Sequence, residues 1–152
     1  MIYRKTYDLM CDEIRQLQED IKQNTKDIKR AADFGDLKEN AEYHAAKERQ
    51  VLLHDKLTRY ERYLHNEIVE PSQIKGDQVA FGTEVTYTDG EETLTVAVAG
   101  AAEYELELFD FICTTTSPLG KQILGRKEGE TFVANMPVGE KKLTILNIRP
   151  LE

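Results

Sequence analysis

Apolar residues recur every three or four positions along the first half of the chain. The first run has alternating steps of three and four and one polar member: Tyr7, Met10, Ile14, Leu17, Ile21, Asn24, Ile28 and Ala31. A second run has the same steps and again one polar member: Tyr43, Ala46, Gln50, Leu53, Leu57, Tyr60 and Leu64. This spacing is typical of the buried seam of a coiled coil, and no proline before Pro71 interrupts either helix.

The two seams predict an antiparallel helical hairpin. If Met10 faces Leu64, then the two polar members, Asn24 and Gln50, face each other as well. A facing amide removes much of the cost of burying an unpaired amide. The hairpin is therefore predicted to turn near residue 37, with helices of about 28 residues that span on the order of 40 Å.

Residues 79–152 alternate apolar and polar positions instead, which predicts β-strands. The segments "TEVTYT" and "TLTVAVAG" form a predicted hairpin whose turn contains Asp89 and Gly90. Three further predicted strands are "LELFDFICT", "TFVANM" and "KLTILNIR". The segment "SPLGKQILGRKEG" predicts a short helix with Ser117 as its N-cap and Gly125 at its end.

The change of pattern near Pro71 divides the chain, and the predicted fold class is α+β. Residues 1–70 form the coiled-coil hairpin, residues 71–78 form a linker, and residues 79–152 form a small β-rich domain with one short helix. A two-helix hairpin has little core of its own, so we expect the second domain to steady its base.

The net charge of −8 is distributed unevenly. Residues 1–70 contain 13 Lys or Arg and 15 Asp or Glu, whereas residues 71–152 contain 7 and 13. No cluster of Lys and Arg provides the basic footprint that binding of free DNA or RNA requires. No apolar run approaches the roughly 18 residues that span a membrane, and the N-terminus lacks the pattern of a secretory signal. We therefore expect a cytoplasmic protein that meets nucleic acid only where another molecule holds it.

The cysteines and histidines do not follow disulfide or metal motifs. Cys11 and Cys113 lie far apart in regions of different periodicity, and we expect both to be reduced and at least half-buried. The three histidines, His44, His54 and His65, are ten or eleven residues apart, unlike metal ligands on one helix. We expect them at the surface.

The predicted connection between the helices contains Gly35, Asp36, Glu39 and Asn40. On the residues alone, two interpretations of its carboxylates remain open. In one, Asp36 caps the second helix and Glu39 completes a capping box, after Gly35 has ended the first helix. In the other, the hairpin presents both carboxylates at its tip as ligands for a hard cation such as Mg²⁺, whose other ligands come from a partner.

The chain resembles the Gre family of bacterial transcript cleavage factors, most closely its GreA type. The resemblance is carried by "GDLKENAEYHAAKE" at the predicted tip and by "SPLGKQILGRKEGE" and "PVGEKKLTILNI" in the second half. It implies an FKBP-like fold for the β-rich domain, without prolyl isomerase activity. The implied partners are bacterial RNA polymerase, whose secondary channel the hairpin enters, and the 3′ end of the nascent RNA in that channel. We expect a monomer that does not bind membranes.

The resemblance also implies a mechanism. The factor would stimulate the polymerase's own cleavage of backtracked RNA and so rescue arrested complexes. Asp36 would be the main ligand of a second Mg²⁺ in the polymerase active centre, and Glu39 would help to hold that metal or the attacking water. Alone, the factor would bind no cofactor and would not be a nuclease.

The resemblance also implies two sets of contacts. The candidates for contact with RNA are Lys38, Tyr43, Lys47 and Arg49; the alternative is a solvated helix face for the three basic residues and packing beneath the tip for Tyr43. The candidates for docking on the polymerase are Ser117, Pro118, Leu119 and Gly120; the alternative is that they only form the capped start of a helix.

Two other functions remain open. Asp33 and Phe34 precede Gly35 where relatives are expected to carry a basic residue, and the extra carboxylate keeps open a channel-binding inhibitor that does not stimulate cleavage. A free-standing isomerase or chaperone would need an aromatic-lined pocket, but strand alternation assigns most aromatic residues of the β-rich domain to its core. The aromatic residues that could supply such a pocket are Tyr87, Tyr104, Phe109, Phe111 and Phe132.

Overall fold

A computed structural model describes residues 1–35 and 40–151 of the chain. The architecture is α+β, as predicted, with two long helices followed by a five-stranded sheet. The chain divides into two compact units: residues 8–65, and residues 1–7 together with 66–152. We call the first the helical hairpin and the second the β-rich unit.

The elements have the following bounds in chain order. They are β1 (Ile2–Tyr3), α1 (Arg4–Ala32), α2 (Ala41–Tyr63), β2 (Ile68–Val69), a 3₁₀ turn (Pro71–Gln73), β3 (Thr83–Thr88), β4 (Thr93–Ala99), α3 (Ala101–Glu105), β5 (Ile112–Thr114), α4 (Pro118–Ile123), β6 (Thr131–Met136) and β7 (Gly139–Pro150).

The predicted seams of α1 and α2 are confirmed as their protected faces. Every predicted seam position is buried or half-buried, whereas most of the intervening positions are exposed. Met10 and Leu17 are buried in α1, as is Tyr60 in α2. On the solvent side of α1, ion pairs three residues apart join Arg15 to Asp12 and Lys22 to Glu19. The period of 3.6 residues thus separates an apolar stripe from a charged face.

The register of the two helices was predicted to within one helical turn, with Asn24 facing Gln50, and the contact that Asn24 makes lies within that turn. Asn24 is buried, and its side-chain nitrogen donates a hydrogen bond to the backbone carbonyl of Ala46 at 3.2 Å. The carbonyl of Ala46 points along α2 toward Gln50, so this contact agrees with the predicted register to within one turn. A backbone carbonyl accepts this hydrogen bond as well as a side-chain amide would, and periodicity cannot distinguish registers one turn apart.

The five strands of the main sheet have the order β5-β4-β3-β7-β6. The predicted hairpin of β3 and β4 is confirmed, with Val85 opposite Val96, and β6 and β7 form a second antiparallel pair. The turn predicted at Asp89–Gly90 is therefore correct. One face of the sheet packs on α4 through a buried cluster that includes Val85, Val98 and Ile145, with Ile123 from the helix.

Two parts of the β-rich unit differ from the prediction. Of the predicted strand "LELFDFICT", only Ile112–Thr114 pairs, in parallel, with β4, and the unpredicted helix α3 precedes it. In addition, β1 pairs in parallel with β2. The structure therefore joins residues 1–7 and 66–70 to the β-rich unit, whereas the sequence divided the chain after residue 70. Pairing between segments so distant in the chain leaves no local signature.

Buried polar groups hold the start of the chain against α3. The backbone N–H of Tyr3 donates to the carboxylate of Glu103 at 3.1 Å, and the Tyr3 hydroxyl donates to the carbonyl of Leu151 at 3.0 Å. Glu103 is fully buried, and burial raises the pKa of its carboxyl group. Its second oxygen has no hydrogen-bond partner among the described residues.

Candidate functional site

The end of the helical hairpin is organised by Asn40, which the sequence analysis did not assign a role. The Asn40 side-chain oxygen accepts a hydrogen bond from the backbone N–H of Tyr43 at 3.0 Å, so Asn40 is the N-cap of α2. Its side-chain nitrogen donates to the carbonyl of Ala31, in the last turn of α1, at 2.5 Å. One amide therefore satisfies a free donor of α2 and a free acceptor of α1.

The capping interpretation of Asp36 is therefore wrong, because α2 begins at Ala41 and Asn40 caps it. The sequence contained the signal, since asparagine is among the best N-cap residues and Asn40 immediately precedes the second seam. Aspartate is an equally good cap, which is why the sequence did not distinguish the two positions.

The two candidate metal ligands, Asp36 and Glu39, lie outside the described residues, as does Lys38. They belong to the connection between the end of α1 at Ala32 and the start of α2 at Ala41. Carboxylate oxygens are the ligands that Mg²⁺ prefers, and two carboxylates leave coordination positions for a partner's ligands and water. Within residues 1–35 and 40–151, no group of three or more His, Cys, Asp or Glu side chains is placed to hold a metal.

The first residues of this connection are exposed. Asp33 and Phe34 lie at the surface, with 75% of Phe34 accessible to solvent. Gly35 has a φ of +116°, which side chains rarely tolerate, and it follows the end of α1 as the sequence predicted. The start of the connection therefore carries an exposed carboxylate and an exposed aromatic ring. The basic residues in the last turn of α1 are Lys29 and Arg30.

The remaining RNA-contacting candidates lie on the first turns of α2. Lys47 and Arg49 are exposed, and Tyr43 is half-buried at a seam position with its ring edge-on to His44 at 5.7 Å between centroids. All three histidines are exposed, as predicted. Both candidate cations are thus accessible to a partner, and Tyr43 presents part of its ring.

The four docking candidates surround the start of α4 and fall into two pairs. Ser117 is the N-cap, as predicted: its hydroxyl oxygen accepts from the N–H of Gly120 at 3.0 Å and donates to the carbonyl of Thr114 at 2.7 Å. A Cβ atom at Gly120 would overlap that same carbonyl oxygen. Ser117 and Gly120 therefore build the turn, while Pro118 is exposed and Leu119 is half-buried.

Leu119 lines an apolar groove that sequence reasoning did not find. The groove is bordered by charged residues, among them Lys141. Val138, in the turn between β6 and β7, lines the groove, and 83% of this residue is accessible to solvent. The apolar lining is Tyr87, Leu94, Leu119, Met136, Val138 and Leu143. These side chains come from four strands, a turn and a helix, so only the fold brings them together.

The rim of this groove is held by Asp89 in the turn between β3 and β4. Its carboxylate accepts hydrogen bonds from the backbone N–H groups of Glu92 at 2.8 Å and Glu91 at 2.9 Å. These bonds hold the pKa of Asp89 below its usual value. Lys141 lies 3.8 Å away on β7. The turn thus places one charged pair beside the apolar lining.

Both halves of the chain match models of one protein family. Residues 1–69 match "Transcription elongation factor, N-terminal" and residues 73–150 match "Transcription elongation factor, GreA/GreB, C-term". A transcription elongation factor GreA from Anaeromyxobacter sp. (strain K) is 35% identical over 93% of this chain and 86% of its own length. Another, from Trichlorobacter lovleyi, is 33% identical over 96% of this chain and 94% of its own length.

Among solved structures, the GreA factor homolog 1 (Gfh1) of Thermus thermophilus is similar over 97% of both chains, with 21% identity and a TM-score of 0.42. The family models and the GreA relatives define the class of this protein as a bacterial transcription elongation factor. The chain belongs to the GreA/GreB family. No helix within the described residues is long and apolar enough to cross a membrane.

Proposed function

We propose that this protein binds bacterial RNA polymerase, inserts its helical hairpin into the secondary channel and stimulates the polymerase's own cleavage of backtracked RNA. The observation that carries the proposal is the position of Asp36 and Glu39, which lie between the two helices of a hairpin in a member of the GreA/GreB family. Release of the backtracked 3′ segment gives the polymerase a new 3′ end and rescues the arrested complex.

The role of the two carboxylates follows from their chemistry. Asp36 is the main ligand and Glu39 the second ligand of a Mg²⁺ shared with the polymerase. When bound, such an ion supplies Lewis acidity that makes water a nucleophile at neutral pH. Asn40 supports this role because it caps α2 itself and so spares the two carboxylates from that task.

The contacts to RNA rest on charge and exposure. Lys47 and Arg49 are exposed on α2 and form no ion pair with another described residue, so they can neutralise phosphates of the extruded strand. We assign Lys38 to the same role from its place in the sequence. Tyr43 presents part of its ring and can stack on a base.

Polymerase docking is assigned to the groove beside α4. Val138 and Pro118 expose apolar surface, and Leu119 and Met136 continue it inward. An exposed apolar groove with a charged rim has the composition of a protein interface, in which a buried apolar centre is surrounded by polar groups. Ser117 and Gly120 contribute indirectly by fixing the turn that presents Pro118 and Leu119.

The decisive experiment uses purified bacterial polymerase stalled in a backtracked complex with 3′-labelled RNA and Mg²⁺. The wild-type protein is expected to accelerate release of short 3′ fragments. Asp36→Ala should reduce this acceleration by about a hundredfold or more, since metal stabilisation of a transition state is worth several kcal/mol. Asp33→Ala removes an exposed carboxylate three residues away and serves as the matched control, with little expected effect.

Binding is measured in the same complexes to separate docking from cleavage. The Asp36→Ala variant should bind the polymerase as tightly as the wild type. The Leu119→Ala variant should bind more weakly, but at a saturating concentration of the variant the rate of cleavage should equal that with the wild type. The proposal is wrong if the wild-type protein binds but leaves fragment release unchanged. If nucleotide addition also slows, the protein is a channel-binding inhibitor instead.

A further inference from the structure

A second surface of the β-rich unit exposes two of the five aromatic residues of which the sequence analysis assigned most to the core. Tyr104 is 70% exposed and Phe111 is 67% exposed. Strand alternation fails here because Tyr104 lies in α3, and Phe111 lies in an irregular loop that ends where pairing with β4 begins, at Ile112. Within that loop Glu107 has a φ of +51°, a conformation uncommon for a residue with a side chain. We call this the aromatic–acidic surface and define it by Tyr104, Glu107, Phe109, Asp110 and Phe111.

The aromatic–acidic surface is concave and continuous. One depression is lined by Leu94, Phe109, Asp110 and Phe111 together with strand residues of β4. A neighbouring depression is lined by Tyr104, Glu107, Phe109 and Asp110. Because the two share Phe109 and Asp110, they form one surface lined by both aromatic rings and carboxylates. The groove beside α4 shares only Leu94 with it.

The segment that forms this surface is strongly acidic. Between Lys75 and Lys121 the sequence contains nine Asp or Glu residues and no Lys or Arg. Glu84, at the edge of the first depression, forms an ion pair with Arg149 at 2.6 Å. Glu107 and Asp110, in contrast, form no ion pair with any residue in the described parts of the chain. The two central carboxylates therefore keep their charge available for a cationic ligand.

We propose that the aromatic–acidic surface binds an arginine-bearing segment of a partner protein. A guanidinium group stacks on an aromatic face and donates paired hydrogen bonds to a carboxylate, and this surface places the two kinds of acceptor side by side. Lysine offers the charge without the planar stack. Nucleic acid is a poor ligand because its phosphates are repelled by the carboxylates. This contact is separate from the groove beside α4 and does not depend on the hairpin carboxylates.

The test uses the full-length protein and a fluorescent Arg-Gly-Ser repeat peptide as the probe. Peptides in which Lys or Glu replaces Arg serve as matched ligands. Binding is followed by fluorescence anisotropy, and its location by chemical-shift changes of backbone amides. The Arg peptide is expected to bind, the Lys peptide more weakly and the Glu peptide not at all. The amides of residues 104–111 should shift.

Variants identify the side chains responsible. Replacing both Tyr104 and Phe111 with Ala should weaken binding of the Arg peptide by about tenfold, as expected for the loss of two exposed cation–π contacts. Asp110→Asn should weaken it as well and reduce its salt dependence. The controls are Leu146→Ala and Glu140→Gln, which remove an exposed apolar and an exposed acidic side chain from β7.

Several outcomes would overturn this inference. One is equal binding of the Arg peptide by wild type and the Tyr104–Phe111 double variant. Another is that the shifted amides lie elsewhere, or that the Lys peptide binds as tightly as the Arg peptide. Concentration-dependent dimerisation that Phe111→Ala abolishes would show that a second copy of this chain covers the surface instead.

Discussion

The helical hairpin and the β-rich unit bury their side chains in different ways. Along α2 the seam side chains are half-buried apart from Tyr60, which is buried. In the β-rich unit twelve residues form one buried cluster, drawn from five strands, α4 and the segment before β3. The hairpin therefore depends on a single stripe of contacts and on hydrogen bonds at particular polar groups. The β-rich unit instead has a core that strands and a helix enclose.

This difference locates the sensitive positions in each unit. In the hairpin they are amides, because Asn24 and Asn40 make hydrogen bonds that join the two helices. In the β-rich unit the sensitive positions are those with no room for a side chain, such as Gly120, and the buried carboxyl group of Glu103. Four substitutions test whether the two units respond as differently as this comparison requires.

The largest effect is expected from Gly120→Ala. The added methyl group would overlap the backbone carbonyl of Thr114, so the turn before α4 must move, and the β-rich unit should lose about 3 kcal/mol of unfolding free energy. The loss is measured by urea titration, with the unfolding of the β-rich unit monitored through the hydrogen exchange of its β-sheet amides. The matched control is Gly125→Ala. Gly125 has a φ of +79°, but no atom lies where a Cβ would stand, so this substitution should lower the unfolding free energy by only about 1 kcal/mol. Equal losses would show that steric overlap is not the cause.

In the hairpin, Asn40→Ala should cost about 1–2 kcal/mol, because it removes the cap of α2 and the hydrogen bond to α1 together. Asn40→Asp should lose less, since its carboxylate can still accept from Tyr43 but cannot donate to Ala31. Helical circular dichroism during urea unfolding ranks the two variants and the wild type. If Asn40→Asp proved as damaging as Asn40→Ala, the bond to Ala31 rather than the cap would carry the stability.

Asn24→Leu should act in the opposite direction. Asn24 is buried with its nitrogen paired, but its oxygen has no partner among the described residues. An apolar side chain of similar size should therefore stabilise the hairpin by about 1 kcal/mol while removing the bond that sets the register. Interhelical nuclear Overhauser contacts would report the register. A less stable variant with a single register would refute this account of Asn24.

The smallest change is expected from Glu103→Gln, because a glutamine carbonyl can still accept from the Tyr3 N–H. Burial raises the pKa of Glu103 above its ordinary value of 4.5, so the ionised form is disfavoured in the folded state. The wild type should therefore become more stable as pH falls from neutrality through the raised pKa. The Glu103→Gln variant should be more stable than the wild type at neutral pH, and this advantage should vanish below the ordinary pKa.

Unfolding free energies of both proteins across this pH range provide the measurement. The backbone N–H of Tyr3 and the N-terminal ammonium lower the pKa of Glu103, but burial has the larger effect and sets the direction. If the advantage of the Glu103→Gln variant persisted unchanged at low pH, the buried charge would not be its source.

The sequence by itself determined the elements whose signals are local. Alternating steps of three and four identified the protected faces of α1 and α2, because a helix returns to the same side every 3.6 residues. Alternation and the Asp89–Gly90 turn identified β3 and β4, and Ser117 correctly marked the start of α4. The candidate metal ligands, Asp36 and Glu39, also came from the sequence, through the tip motif rather than through geometry.

Only the tertiary structure decided which distant segments meet. The partner of Asn24, the cap at Asn40, the pairing of β1 with β2 and the groove around Leu119 all depend on it. So does the exposure of Phe111, one of five aromatic residues of which alternation had assigned most to the core. Periodicity states which side of an element is apolar, but the energy that chooses among registers and partners comes from contacts between residues far apart in the chain, and no local pattern records them.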